Sequence, residues 1–493
     1  MIRNTIKNYL ETQPNRIVIK EIDGKYYTLD QLKSDIETFS LKLKSMVGNC
    51  SGKVFGVAMR SSYEWIYTML AIHRIEGILL PVPIEFSDEQ IKSLMGKSTM
   101  VFVDSPEGKE RINKIIPDMP CLISDQVITD LNVSLDVYSN ETISTDIVSI
   151  IHTSGTTSKP KGVLIRDEAV DILVKNVIDK LPNHPLHYLS IVPMSLLIEQ
   201  VLGVYIPILT NGSITIMPKS YKEYGSASGN AKDYLDLIRK SDINFLYLPP
   251  KLIEEIDESL INSELIEIFG KNRPHIITGG AKVSENVLQR LENKGVSVFE
   301  AYGLSENSSI ISLNSPSERR IGSAGKLLKG IVPKFHNGEL LVKTPTLCAG
   351  YYNADDTSCD LTDGYLHTGD IAHIEDGFLY ITGRKKHVII LSTARNISPE
   401  WVEGIYKESP LLDDIIVLGE GQQELGAVIL TSSDKSLIKG ELHKYDKNLA
   451  DFARVNKFVV INDIQDFRNK FYTVTGRPKR KEIELAFISK IYS

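Results

Sequence analysis

Cysteine is scarce. Cys50, Cys121, Cys348 and Cys359 are the only four in 493 residues, at unrelated spacings with no Cys-x-x-Cys pair. This argues against a disulfide scaffold and a structural zinc, and points to a reducing compartment. Positive charge is short as well: 56 Lys and Arg face 63 Asp and Glu, for a net charge of −7. That balance argues against nucleic acid as a general partner, and the small basic runs 383–386 and 477–481 read as solvated faces. Long apolar runs are also missing. The opening MIRNTIKNYLETQPNR has no apolar core of a signal peptide and no stretch approaches a membrane span, so a cytoplasmic protein is expected. Neither a short internal repeat nor a low-complexity tract appears, and the length suits two or more domains with a large core.

What the chain does have is IIHTSGTTSKPKGVLI at 150–165. A strand is predicted before it, a second strand over 162–165, and then a helix from Asp167 with the stripe Val170, Leu173, Val174, Val177 and Ile178. Between the strands lies a hairpin crowded with hydroxyls and closed by Lys161 and Gly162. Free N–H groups, several O–H donors and a lysine suit a polyphosphate, whose oxygens each want a donor and whose charge wants a counter-charge. It is not a Walker loop, because Lys161 precedes Gly162 and a strand follows. A Ser/Thr-rich surface hairpin is the plain alternative.

Upstream, strands and helices alternate: a helix after Thr28 capped by a Thr28 to Gln31 box, strands over 54–59, 78–82 and 100–104, and a helix opened by Ser87 to Gln90. Alternation of this kind predicts an α/β fold with parallel-rich sheets covered by helices on both faces. The scheme resumes with strands over 244–248, 275–278 and 296–301. From about 319 to 382 short strands with Gly turns predict a small β barrel, and beyond Lys386 a compact α+β unit follows.

Several constellations have chemical and bland readings side by side. Glu306, in the run Ala301 to Asn307 at a strand end, is a hard oxygen ligand for Mg²⁺ or a surface carboxylate, and Tyr302 is a purine stack or a packed aromatic. Gly279, Gly280 and Ala281 let a backbone approach a planar ligand, or form an ordinary turn. Asp370 and Arg384 make a ribose diol clamp, or a surface pair worth little. The stretch 193–200 is a substrate wall or a core helix; its aliphatic character, with no carboxylate to meet an α-ammonium, favours an apolar acyl or aryl acid. His184 and His187 lack a third ligand in view.

The loop and these strings together resemble the adenylate-forming superfamily of acyl- and aryl-CoA synthetases, luciferases and peptide-synthetase adenylation domains, over nearly the whole chain to Lys481. The resemblance implies a large N-terminal domain (1–385, with the barrel at 319–382) and a small mobile C-terminal lid (386–493) hinged near Lys386. It places Thr153, Ser154, Gly155, Thr156, Thr157 and Lys161 on ATP phosphates, and Thr156 and Glu306 on Mg²⁺. Gly280, Ala281, Tyr302 and Gly303 fall beside adenine, Ser305 near phosphate, and Asp370 and Arg384 on the ribose. Leu196, Leu197, Val201, Gly279 and Ala301 line the acid pocket, while Lys161, Glu306, Arg477 and Lys479 carry catalysis.

The implied function is an AMP-forming ligase that activates a small apolar carboxylic acid as acyl-AMP and passes it to CoA or to the phosphopantetheine of an acyl carrier protein. A monomer or homodimer is expected. Three departures from the family pattern stand out: Ser158 and the pair Thr393 and Ala394 occupy places where glycine is usual, and Arg477 replaces the usual lysine. Lysine is a compact point charge and arginine a bulkier fork. Two alternatives therefore stay open, an adenylation-impaired member that handles thioesters or binds acyl groups, and a non-enzymatic nucleotide-binding partner of a carrier protein.

Overall fold

A computed structural model describes residues 1–129, 142–153, 161–224, 231–353, 358–392, 395–473 and 476–492. Ser154, Gly155, Thr156 and Thr157, with Ser158, Thr393 and Ala394, lie outside the described residues, as does the side chain of Thr153. Two sheets organise the first three quarters of the chain. One runs Tyr351–Tyr352, Lys161–Arg166, Ile147–Thr153, Ile78–Pro81, Val54–Ala58, Met100–Val103 and Cys121–Ile123. Its last five strands are parallel, and the hairpin 147–166 is antiparallel. Val54–Ala58 and Met100–Val103 bury every position, because a parallel strand covered on both faces has no solvent side.

The second sheet has nine strands. Its parallel centre comprises Val298–Tyr302, His275–Gly279, Phe245–Tyr247, His187–Ser190, Ser213–Ile216 and Ile17–Glu21. The predicted helices sit against these sheets. Leu29–Val47 buries Leu29, Leu32, Ile36, Phe39 and Leu43 and stops at Gly48. Thr28 accepts from the Gln31 N–H, one half of the predicted box, whereas Ser87 and Gln90 make both halves.

The stretch that wavered between pocket wall and core helix is helical but irregular. Leu197–Glu199 is α, Gln200–Tyr205 a π-helix, and Ile206–Leu209 α again. A π segment inside a helix widens one turn and is frequent at functional sites.

The predicted barrel is a half-barrel sheet of five antiparallel strands, in which Tyr365–Glu375 pairs with Glu339–Lys343, Leu361–Thr362 and Phe378–Arg384. From Ile389 onward the apolar residues form clusters of their own around the sheet Asp414–Leu418, Leu425–Leu430 and Val455–Ile461. No helix among the described residues is long and apolar enough to cross a membrane.

Candidate functional site

Strands from different sheets bring several of the predicted residues together. In the half-barrel, Asp370 lies directly across the ladder from Arg384. Its carboxylate is almost sealed from solvent, with Oδ1 2.6 Å from the Arg384 Nε and Oδ2 accepting from the Tyr302 hydroxyl at 2.6 Å. Burial pushes the Asp370 carboxyl up against the opposing pull of Arg384 and Tyr302. Burial first, then Asp370, raises the Tyr302 hydroxyl well above its ordinary range. Charge-assisted bonds of this length on both oxygens hold the carboxylate rigid. Tyr302 thus belongs to the clamp through its hydroxyl, beyond the ring stacking predicted for it.

Tyr302 closes the strand Val298–Tyr302, and a turn over Ser305–Asn307 follows. The turn is braced from beneath. Buried Asn307 donates to the Ile310 carbonyl and accepts from Thr346, and the Ser308 hydroxyl donates to the Thr346 carbonyl. Ser308 and Ser309 both take positive φ, 55° and 106°, a costly conformation for residues with a side chain, and such strain clusters at functional sites. Gly303 is required for packing, since a Cβ there would lie 1.5 Å from the Ser309 carbonyl oxygen. The braced turn presents Glu306, whose Oε1 accepts from the Tyr351 hydroxyl at 2.9 Å.

Lys161 reaches the same place from the hairpin. It pairs with Thr153 across the two strands that flank the hydroxyl loop, and its ammonium stands 5.2 Å from the centroid of the Tyr351 ring. Tyr351 therefore links lysine and carboxylate. No sequence signal marked it, because its role depends on the pairing of Tyr351–Tyr352 with Lys161–Arg166.

Gly279 pairs with Ala301 on the adjacent strand. Gly280 has φ +89°, which glycine alone adopts freely. Arg477 comes in from the C-terminal unit: its Nη2 donates to the Gly280 carbonyl at 2.6 Å, beside the Tyr247 hydroxyl, which donates to the Gly279 carbonyl at 3.2 Å. Lys479 turns the other way, to the Lys470 carbonyl and Glu482. Of Arg477 and Lys479, the two candidate cations of the C-terminal segment, the structure brings Arg477 to the site.

Lys386 sits between two anchors. Lys385 is bound to Glu339 of the half-barrel at 2.8 Å, and His387 to Glu400 of the C-terminal unit at 2.6 Å. Burial pushes Glu400 up, yet His387 and Arg480 pull it down to about 2.

The proposed acid wall is apolar where described: Leu197 and Val201 are buried, and Leu196 is half-buried against the main core. Glu199, overlooked as a site feature, is wholly buried in this wall and accepts from the hydroxyls of Tyr188 and Ser190, each at 2.6 Å. Burial lifts its carboxyl to about 8 against those two bonds, so it stays a neutral acid at neutral pH. Among the described residues no cluster of three or more His, Cys, Asp or Glu is placed to hold a metal, His184 and His187 included. Glu306, beside Tyr351, is a single hard oxygen donor, and this suits Mg²⁺, which keeps waters and phosphate oxygens and takes few protein ligands.

Comparison with known proteins completes the description. The family described as AMP-binding enzyme matches residues 6–352, and the AMP-binding enzyme C-terminal domain matches 386–491. A 2-succinylbenzoate–CoA ligase of Bacillus anthracis (strain A0248) is 24% identical over 516 residues, covering 97% of this chain and 99% of the relative. A long-chain-fatty-acid–CoA ligase, FadD15, of Mycobacterium bovis is 24% identical over 471 residues, covering 83% and 78%. The structure of the O-succinylbenzoate coenzyme A synthetase from Bacillus subtilis in complex with ATP and magnesium ion superposes with a TM-score of 0.80 at 20% identity, covering 98% of this chain and 99% of that one.

Proposed function

The chain belongs to the family of AMP-binding enzymes, and on that premise we propose that it is an AMP-forming ligase joining an apolar fatty or aryl carboxylic acid to the thiol of CoA or of a carrier protein. The observation that carries the proposal is the convergence of the Tyr302, Asp370 and Arg384 clamp with Arg477 on Gly280. Open α/β sheets take their ligands at the carboxyl edges of their strands.

In this reading Asp370 accepts from the ribose hydroxyls while Arg384 keeps it ionised and aimed. Lys161 and Arg477 face the phosphates from two sides, so negative charge that builds at the α-phosphorus meets fixed cations. Glu306 would hold Mg²⁺, whose charge would offset that of the pyrophosphate. The bound carboxylate attacks the α-phosphorus and pyrophosphate leaves, giving acyl-AMP. No general base is needed, since a carboxylate is already the nucleophile; placement and preorganised charge do the work. Rotation about Lys386 then withdraws Arg477 and opens the anhydride to a thiol.

The apolar wall at Leu196, Leu197 and Val201 disfavours an α-ammonium, since Glu199 within it is already engaged by the hydroxyls of Tyr188 and Ser190. Carboxylates of the kinds named for the relatives, 2-succinylbenzoate and long-chain fatty acids, head the list to try. ATP–pyrophosphate exchange over those acids with benzoic and cinnamic acids is the test. Exchange with one acid class supports the ligase. A second reading, favoured by arginine in place of lysine at 477, predicts no exchange but thioester from supplied acyl-AMP and thiol. Nucleotide binding with neither activity would leave a non-catalytic binding protein.

A further inference from the structure

Cys348 and Cys359, eleven positions apart and unremarkable in the sequence, come together in the fold with their Sγ atoms 2.8 Å apart. Both are free thiols. A disulfide needs about 2.05 Å between sulfurs, so less than about 1 Å of movement separates the pair from a bond. Cys348 is buried, while Cys359 is partly exposed.

The neighbours of this pair set it apart from an idle contact. The Cys348 N–H donates to the Glu306 carbonyl at 2.8 Å. Ala349 donates to Leu164, and Leu164 donates to Gly350, so the segment that starts at Cys348 straps the strand Lys161–Arg166 leading out of the hydroxyl loop. Tyr351, three residues on, binds Glu306. On the other side, Cys359 stands just before the half-barrel strand Leu361–Thr362. A covalent link would tie the strap to the half-barrel.

We propose that Cys348 and Cys359 are a reversible dithiol–disulfide site whose closure stiffens the strap over the strand Lys161–Arg166. The oxidant is a low-molecular-weight disulfide such as glutathione disulfide. The partly exposed Cys359, as thiolate, attacks one oxidant sulfur, and the first glutathione leaves as thiolate. Cys348 then attacks the mixed disulfide at the Cys359 sulfur and the second glutathione leaves; the two departing thiolates take up the two protons that the cysteines lose. One protein disulfide forms, two glutathione thiols are released, and the two-electron balance closes. In a reducing compartment the pair rests as thiols, and a rise in the oxidised pool closes it.

The test is a titration of the full-length protein against glutathione and its disulfide. Both cysteines fall on one tryptic peptide, Thr344 to Arg384. In the oxidised protein this peptide is expected to escape alkylation and to weigh two hydrogens less, reversibly with dithiothreitol and in neither Cys348→Ser nor Cys359→Ser. Amide hydrogen exchange over Lys161–Arg166 is expected to slow several-fold in the oxidised wild type alone. Glutathione held on Cys359 without release of the second thiol, or a link to Cys50 or Cys121, would overturn the site. A clean disulfide with unchanged exchange would overturn its coupling to the strand. Neither readout uses ligase activity, so failure here and failure of the proposed reaction are distinguishable.

Discussion

At residue 477, a fork replaces the point charge usual at that position. Arg477 spends one Nη on the Gly280 carbonyl and has further N–H donors, whereas a lysine ammonium has three donors on one atom and a different reach. We therefore expect Arg477→Lys to slow ATP–pyrophosphate exchange about tenfold, equivalent to about 1.4 kcal/mol, and Arg477→Ala to cost more. A faster Lys variant would mark the arginine as a handicap. Glu199 offers a second measurement. Its folded pKa, about 8, lies above the ordinary carboxylate value, so the folded state keeps a proton that the unfolded chain gives up. Its contribution to stability is full below about pH 4.5 and is lost as pH rises to about 8, by up to about 1.4 kcal/mol per pH unit. Glu199→Gln mimics the neutral acid and removes that loss. Its thermal midpoint relative to wild type should climb between about pH 5 and 8 and then level off; a pH-independent difference would show Glu199 to be ionised.

At the scale of elements, much of the candidate site's framework was legible because its strands carry tell-tale neighbours. The hairpin 147–166, the strand before Gly279 and the strand ending at Tyr302 all formed where alternation and turn residues predicted them. The clamp of Asp370 and Arg384 was legible as a pair but not as a ladder contact, since a bulge between Ile371 and Ala372 sets which side chains meet. The π segment at Gln200–Tyr205 left no trace in the apolar pattern, because a fully buried helix shows no polar face against which to read a period. In the proposed two-step reaction the hinge is the turn Lys385–His387, tied to the half-barrel on one side and to the C-terminal unit on the other. Proline fixes φ near −65°, within the range of such a turn, so Lys386→Pro keeps the present arrangement at some cost to Lys385 and resists rotation. Exchange is expected to stay within about threefold while thioester formation falls about tenfold or more. An equal loss in both steps would remove Lys386 from the hinge.

On the scale of the whole molecule, the separate apolar clusters beyond Ile389 imply that the large unit can hold its core alone. A fragment ending at 385 is expected to unfold cooperatively and to bind ATP within about tenfold of the full chain, since the clamp is intact, yet to lose exchange because Arg477 is gone. A fragment with full exchange would place the essential cation elsewhere. Hydrophobic periodicity and turn chemistry determined from the sequence that this is an α/β protein; these are local properties, carried by residues close in the chain. The meeting of Lys161 with Tyr351, Tyr302 with Asp370, Arg477 with Gly280 and Cys348 with Cys359 was decided only by the tertiary structure. Each joins segments whose spacing carries no period, and distances between side chains exist only once the sheets and the half-barrel have packed.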